Sequence, residues 1–453
     1  MKKYIFFVVG VMCTLLSHTV YAIDLNKSDA NIIGHVLEKK TGEHLPYMTV
    51  ALKGTTIGTM TDGTGHYFLK NLPEGEFILS VSAVGYKPQE RKVTLKRGKT
   101  LEENFELEED MVALDGVVVT ANRNETARRL APTLVKVVTP KLFDMTNSHT
   151  LSQGLVFQSG VRVENDCQNC GYSQVRINGM DGKYTQILID SRPIFSALAG
   201  VYGLEQIPAN MIERVEVVRG GGSALFGSSA IAGTVNIITK EPLRNSGSFA
   251  HSISNFDGSG SFDNNTTLNL SLVSSDNKMG AYIYGQNRHR SAWDSNGDGF
   301  SELPKLKNQT VGVNAYYRLS PYSKLNLEYH HMEEFRRGGN RFDLPPHIAE
   351  DANLNGSGKP GLVEQIEHSI NTGGLKFSAF SKDQKHSFNA YASAQHIVRD
   401  SYYSAYGHTT DFTGVLGAQY IYHFDKLFFM PSDLTGGVEF NHDNLDDKAT
   451  DMQ

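Results

Sequence analysis

Residues 310–330 read TVGVNAYYRLSPYSKLNLEYH. Val311, Val313, Ala315 and Tyr317 alternate with Gly312, Asn314, Tyr316 and Arg318. Past Pro321, Leu325, Leu327 and Tyr329 alternate with Asn326, Glu328 and His330. A period of two gives each strand one apolar and one polar face. The pattern recurs at Leu268, Leu270 and Leu272, and at Phe388, Ala390, Ala392 and Ala394. A soluble sandwich gives the same alternation. The pairs Tyr316-Tyr317, Tyr402-Tyr403 and Phe428-Phe429, however, sit at strand ends, like the interfacial girdles of a transmembrane barrel. The connections alternate as well. Short links fall near 275–278, 320–323, 381–385 and 425–433, and longer polar ones near 258–264, 289–308, 334–365 and 399–412. Short periplasmic turns and longer outer loops follow that order. About nine strands are expected over 243–453, whereas single-chain bacterial barrels close on an even number.

Upstream, residues 1–22 have the form of a secretory signal. Lys2 and Lys3 precede the apolar core Tyr4 to Leu16, and Val20-Tyr21-Ala22 fits the small-residue cleavage rule, placing the mature start at Ile23. The 453 residues carry 43 Lys and Arg against 49 Asp and Glu, a net charge of −6 with no footprint for nucleic acid. A hydrophobic share of 40% excludes wholesale disorder. No later apolar run reaches the roughly 20 residues of a membrane helix. Cys13 leaves with the signal, so Cys167 and Cys170 remain in an oxidising compartment.

Residues 31–107 read as about seven short strands punctuated by turns such as Thr61 to Gly65 and Leu72 to Gly75, a small β-sandwich. His35, His44 and His66 read there as scattered surface histidines. An acidic linker, Glu102 to Asp110, follows. Residues 114–122, LDGVVVTAN, are strongly β-prone. They fit either a strand that adds to another protein's sheet edge or the first strand of the next domain. Residues 123–242 mix strands with short helical stretches, an α+β pattern. Gly220-Gly221-Gly222 lacks the spacing and the Lys of a phosphate loop. Cys167-Gln168-Asn169-Cys170 fits a local disulfide, a zinc half-site without its second pair, or a redox pair without a thioredoxin-like setting. Asp294-Ser295-Asn296-Gly297-Asp298-Gly299-Phe300-Ser301-Glu302 places oxygen ligands at alternate positions with Gly sixth, as a calcium loop begins. Asp294, Asn296, Asp298 and Glu302 are its candidate ligands. The twelfth position is Lys305, so the loop is no EF-hand, and Asp343, Glu350 or Asp351 would have to complete a site. The His330-His331-Glu333-Glu334 group, at an expected strand end, is the nearest approach to a catalytic cluster, and no hydrolase motif accompanies it.

Two resemblances organise these observations. Residues 33–88, IGHVLEKKTGEHLPYMTVALKGTTIGTMTDGTGHYFLKNLPEGEFILSVSAVGYKP, resemble the carboxypeptidase-regulatory-like domain, a transthyretin-like module of binding or spacing rather than catalysis. VVVTANRNE (117–125), LSQGLVFQSGVRV (151–163), VRINGMDG (175–182), ILIDSRPI (187–194) and IPANMIERVEVVRGGGSALFGSSAIAGTVNIITKEP (207–242) resemble the TonB box and plug of a TonB-dependent outer-membrane receptor. Asn178 stands where the family usually has Arg, and Gly221 where it has Pro.

The resemblance implies a mostly β protein. Its parts are a signal peptide (1–22), a sandwich (31–107), a TonB box (114–122), an α+β plug (123–242), and the first part (243–453) of a roughly 22-stranded transmembrane barrel. It implies energised import of a scarce ligand, a ferric siderophore, haem or cobalamin, with no catalysis and no required cofactor. The alternatives are a ligand-sensing signalling receptor, or a glycan importer working with a surface lipoprotein. The partners implied are outer-membrane lipids, the small ligand, and periplasmic TonB, which would pair with Val117, Val118, Val119 and Thr120. Asn165, Asp166, Gln168, Asn169, Tyr172 and Ser173 would touch ligand from one apical plug loop, stiffened by a Cys167–Cys170 disulfide. Arg192, Phe195 and Tyr202 would come from a second loop. The cobalamin branch of the family has a similar VVTANR box and acidic outer loops that bind calcium.

Overall fold

The computed structural model describes residues 30–46, 48–62, 64–83, 86–108, 118–119, 126–127, 135–167, 172–193, 207–221, 226–227, 229–350, 361–383, 385–427 and 430–450. The signal segment lies outside them.

The first unit is a sandwich of two four-stranded sheets. Its strands are β1 (Ala30–Glu38), β2 (Thr49–Leu52), β3 (Gly58–Met60), β4 (His66–Leu72), β5 (Gly75–Ser82), β6 (Gln89–Leu95), β7 (Thr100–Glu102) and β8 (Phe105–Leu107). In one sheet β1 pairs with β4 on one edge and with β7 and then β8 on the other; the second runs β3-β2-β5-β6. Alternate residues point inward, so Ile32, Val36, Val50, Leu52, Leu69, Leu79, Val81 and Leu107 form a dry core. Gly34 lets β1 meet the Glu103 backbone, because a Cβ there would lie 1.8 Å from the Glu103 carbonyl oxygen. The sandwich touches the barrel: the Thr56 N–H donates to the Pro321 carbonyl at 2.9 Å, and Tyr322 packs on the sandwich core.

A two-residue ladder follows, β9 (Val118–Val119) antiparallel to β10 (Thr126–Ala127). The next unit contains β11 (Val135–Val138), α1 (Pro140–Met145), α2 (Leu151–Leu155), β12 (Val161–Cys167), β13 (Tyr172–Ile177), β14 (Thr185–Ile189), β15 (Ile212–Arg219) and β16 (Gly233–Thr239). Its main sheet has the order β11-β15-β16-β14, with β14 parallel to β16. Val215, Val217, Val235 and Ile237 are fully buried in it. The β12–β13 hairpin stands apart as its own sheet. Asn178, just past β13, is left-handed (φ 53), a conformation Asn tolerates better than the Arg the family carries there.

Nine strands then form one antiparallel meander. They are β17 (Ser246–Asn255), β18 (Phe262–Val273), β19 (Met279–Arg290), β20 (Lys305–Ser320), β21 (Ser323–Gly339), β22 (Val363–Phe380), β23 (His386–Tyr403), β24 (Tyr406–Leu427) and β25 (Met430–Thr450). One-turn helix α3 (Pro346–Ala349) lies between β21 and β22. The face carrying Leu268, Leu270, Leu272, Val311, Leu327, Leu416 and Phe440 is exposed and apolar. The opposite face carries Asn265, Arg288, Asn308, Thr310, Gln395 and Thr413, all buried. Apolar outside and polar inside is the inverse of a soluble sandwich and matches a lipid-facing wall.

Two expected loops prove shorter. The segment 399–412 is not a loop: β23 and β24 run through it and turn at Ser404-Ala405, with Ser404 left-handed (φ 59). The 334–365 loop begins only after Gly339. Strands of up to 22 residues exceed the roughly ten that cross a bilayer, so their outer ends stand in water. Both faces can be polar there, which erases the alternation that marks a strand.

Candidate functional site

The plug sheet is held against the inner wall of the barrel by polar contacts made along several strands. Asp190 and Ser191 are both left-handed (φ 47 and 67), so the chain after β14 reverses sharply and aims Arg192 at the wall. The Arg192 guanidinium donates to the Glu328 carboxylate at 2.5 Å and to Ser393 Oγ at 2.8 Å, and lies 3.6 Å from Asp190. Asp190 is itself held by the Thr239 N–H at 3.0 Å and the Thr239 hydroxyl at 2.8 Å. Arg192 is 4% exposed. Elsewhere Tyr282 donates to the Asn210 carbonyl at 2.9 Å, Asn210 reaches Asn269 at 2.9 Å, and Asn314 donates to the Lys240 carbonyl at 3.2 Å. Lys324 pairs with Glu241 at 2.9 Å. His149 bridges Ser252 and Asn265, at 3.2 and 3.1 Å.

Of the expected ligand-contact residues, Arg192 joins plug to barrel and is buried among carboxylates in this structure. Ser173 is buried as well. Asn165, Asp166 and Cys167 end β12, and Tyr172 opens β13 opposite Cys167, with a register shift between Asn165 and Cys167. The hairpin therefore brings the two flanks of the cysteine loop together. Gln168, Asn169, Cys170, Phe195 and Tyr202 lie outside the described residues, as do Val117 and Thr120. Val118 and Val119 lie in the β9–β10 ladder.

In the outer loop, carboxylate oxygens of Asp294, Asp298 and Glu302 lie within 4.8 Å of one another. Asn296 accepts the Asp298 N–H at 2.9 Å, and Asp294 those of Gly297 and Gly299 at 2.7 and 2.8 Å. Glu350, one of the three residues offered to complete such a site, accepts from Tyr402 at 3.0 Å and Ser404 at 3.4 Å. Asp351 lies outside the described residues. The histidine pair expected at a strand end sits inside β21, and the period of two divides it. His330 meets Tyr284 at 3.1 Å on the inner face, and His331 meets Asn371 at 3.0 Å one residue on. Sequence reading also missed the charged inner wall, where Arg288 binds Asp263 at 2.6 Å and Arg336 lies 3.4 Å from Glu334. Charges at alternate positions of these strands were its signal.

The comparisons agree with this geometry. Residues 127–234 match the TonB-dependent Receptor Plug Domain, and residues 32–119 the CarboxypepD_reg-like domain. The fold and both matches define a class by its domains: a TonB-dependent receptor plug, with a carboxypeptidase-regulatory-like domain ahead of it and a β-barrel wall behind it. Within it, the chain is 35% identical over 229 residues to the vitamin B12 transporter BtuB of Vibrio vulnificus (strain YJ016), covering 44% of this chain and 37% of that protein. It is 36% identical over 128 residues to BtuB of Photobacterium profundum, covering 28% and 20%. In structure it is similar to the siderophore receptor PirA of Acinetobacter baumannii, with a TM-score of 0.57, 20% identity, and coverage of 72% of this chain and 50% of that one. For the alcaligin outer-membrane receptor FauA of Bordetella pertussis the values are 0.56, 14%, 73% and 50%. The chain spans about half the length of these receptors.

Proposed function

We propose that this receptor imports a scarce small ligand, cobalamin or a ferric chelate, by TonB-driven movement of its plug. The observation that carries the reading is the contrast between two attachments of the plug. Among the described residues, its sheet is fastened to the barrel wall through Arg192, Asn210 and Lys240, whereas the valine strand ahead of it makes a ladder of two residue pairs. A ladder that short is marginal by itself, so a partner strand can add to it or replace β10. Pulling there acts on the plug through the chain. The names of the relatives, cobalamin transporters and siderophore receptors, support the ligand class. Haem falls in the same range of ligands. The chemistry required is binding and displacement rather than catalysis. The Asp294, Asp298 and Glu302 cluster supports a calcium ion in the outer loop, hard oxygen ligands on one turn suiting that cation.

The test is uptake of labelled cobalamin, haem and ferric siderophores by cells carrying the receptor, compared with Val118→Pro. Proline removes one backbone donor and fixes φ, which disables strand pairing. Surface binding of one ligand should persist while its uptake falls to the level of cells lacking the receptor. Uptake that survives the substitution at full rate sinks the proposal.

A further inference from the structure

The three sandwich histidines are not scattered. His35 in β1 and His66 in β4 are direct partners in the antiparallel ladder, and His44 forms a bridge with Leu37, two residues along β1 from His35. Residues two apart on a strand share a face, and ladder partners share it too. All three imidazoles therefore stand on the outward face of one sheet. Their ring centres are 5.2 Å (His35–His44), 5.7 Å (His35–His66) and 4.8 Å (His44–His66) apart. The backbone holds the three segments together: the Val36 N–H donates to the Gly65 carbonyl at 3.0 Å, and the Leu45 N–H to the Val36 carbonyl at 2.7 Å. Gly65 permits that approach, since a Cβ there would lie 2.8 Å from the Cβ of His44.

We propose that His35, His44 and His66 form a binding site for a divalent transition metal, with zinc as its occupant. Three imidazoles bound tetrahedrally, at a metal–nitrogen distance of about 2.0–2.1 Å, place their ring centres roughly 5 Å apart. The observed triangle has that size and is closer to equilateral than a square-planar set, which suits zinc over copper(II). Metal binding at this triangle requires the exposed His44 and His66 rings to turn about their side-chain torsions so that one nitrogen of each ring faces a common point.

A second observation points the same way. The Thr64 hydroxyl donates to Asp62 Oδ1 at 2.7 Å and lies 3.1 Å from His66 Nδ1. With its proton committed to the carboxylate, that oxygen accepts from His66 Nδ1–H. The neutral ring then keeps its lone pair on Nε2, free for a metal. Carboxylate, hydroxyl and imidazole in series form the outer arrangement that orients metal-binding histidines. Three histidines leave the fourth position to water. The bound ion would tie β1, β4 and the turn at His44 together.

The test uses the whole 453-residue chain in detergent, titrated with Zn²⁺ against a fluorescent chelator, and with Co²⁺ to read coordination from its visible spectrum. One tight Zn²⁺ per chain and a four-coordinate Co²⁺ spectrum are expected. His66→Ala should weaken that site about 100-fold or more, and Thr64→Val roughly 10-fold or more. The pair Asp294→Asn and Asp298→Asn should leave it unchanged, which separates it from the acidic outer loop. Should a variant fail to fold, Zn²⁺ protection of His35, His44 and His66 from diethyl pyrocarbonate, read by mass spectrometry on the unaltered chain, decides. Stoichiometric zinc binding that survives His66→Ala, or no protection of these histidines, overturns the proposal.

Discussion

Replacing Arg192 by Met keeps most of its volume and removes its charge. In the structure that charge lies between Glu328 at 2.5 Å and Asp190 at 3.6 Å, with Ser393 as a further partner. At 4% exposure, water screens it little. Its loss takes from the Glu328 and Asp190 carboxylates the guanidinium they share. Removing one member of a buried ion pair costs about 3–5 kcal/mol. At about 1.4 kcal/mol per tenfold, plug opening becomes roughly a hundred to a few thousand times more frequent. Hydrogen exchange of peptides spanning β14 and β16, with the protein held in detergent or lipid, measures this directly. A double-mutant cycle with Glu328→Gln isolates the pair and should give a coupling of about 0.5–3 kcal/mol. Wild-type exchange in Arg192→Met, or strict additivity in the cycle, would falsify the assignment of Arg192 as the fastening between plug and barrel.

Two further outcomes follow from other parts of the structure. Leu416, 61% exposed near the middle of β24, faces the apolar side, so Leu416→Arg should destabilise the barrel in a bilayer by about 2–4 kcal/mol; an unchanged unfolding midpoint in lipid vesicles would remove that face from the hydrocarbon. Glu108 pairs with Lys39 at 2.6 Å and Lys87 at 3.1 Å, and their hydrogen bonds and charges lower its carboxyl from 4.5 to about 2. A carboxylate lowered on folding contributes stability above its unfolded pKa and loses it as the pH falls through the folded one. Thermal stability of the sandwich should therefore decline from about pH 4.5 toward pH 2, and Glu108→Gln should flatten that decline; an identical acid limb in the variant contradicts the pairing.

How much of this was legible depended on whether the signal was local. Strands β20 and β21 could be read from 310–330 because alternation is a property of consecutive residues. The turn at Pro321-Tyr322 was equally clear. Beyond the bilayer the strands lose their apolar face, and 399–412, where β23 turns into β24, reads as a loop for that reason. The candidate site was legible as a region rather than as residues. The motif ILIDSRPI located the plug turn. Whether Arg192 meets ligand or wall depends on Glu328 and Ser393, 136 and 201 positions away.

Local pattern was enough for the order of the units and for the facing of β18, β20, β21 and β23, because side-chain period is set by backbone geometry one residue at a time. Which charges are buried and which side chains meet follows only from the packed fold. Arg192 became a fastening, and three histidines from separate segments, His35, His44 and His66, became one cluster, through strand register and long-range closure. Those contacts are settled by packing across the whole chain, and no local stretch encodes them.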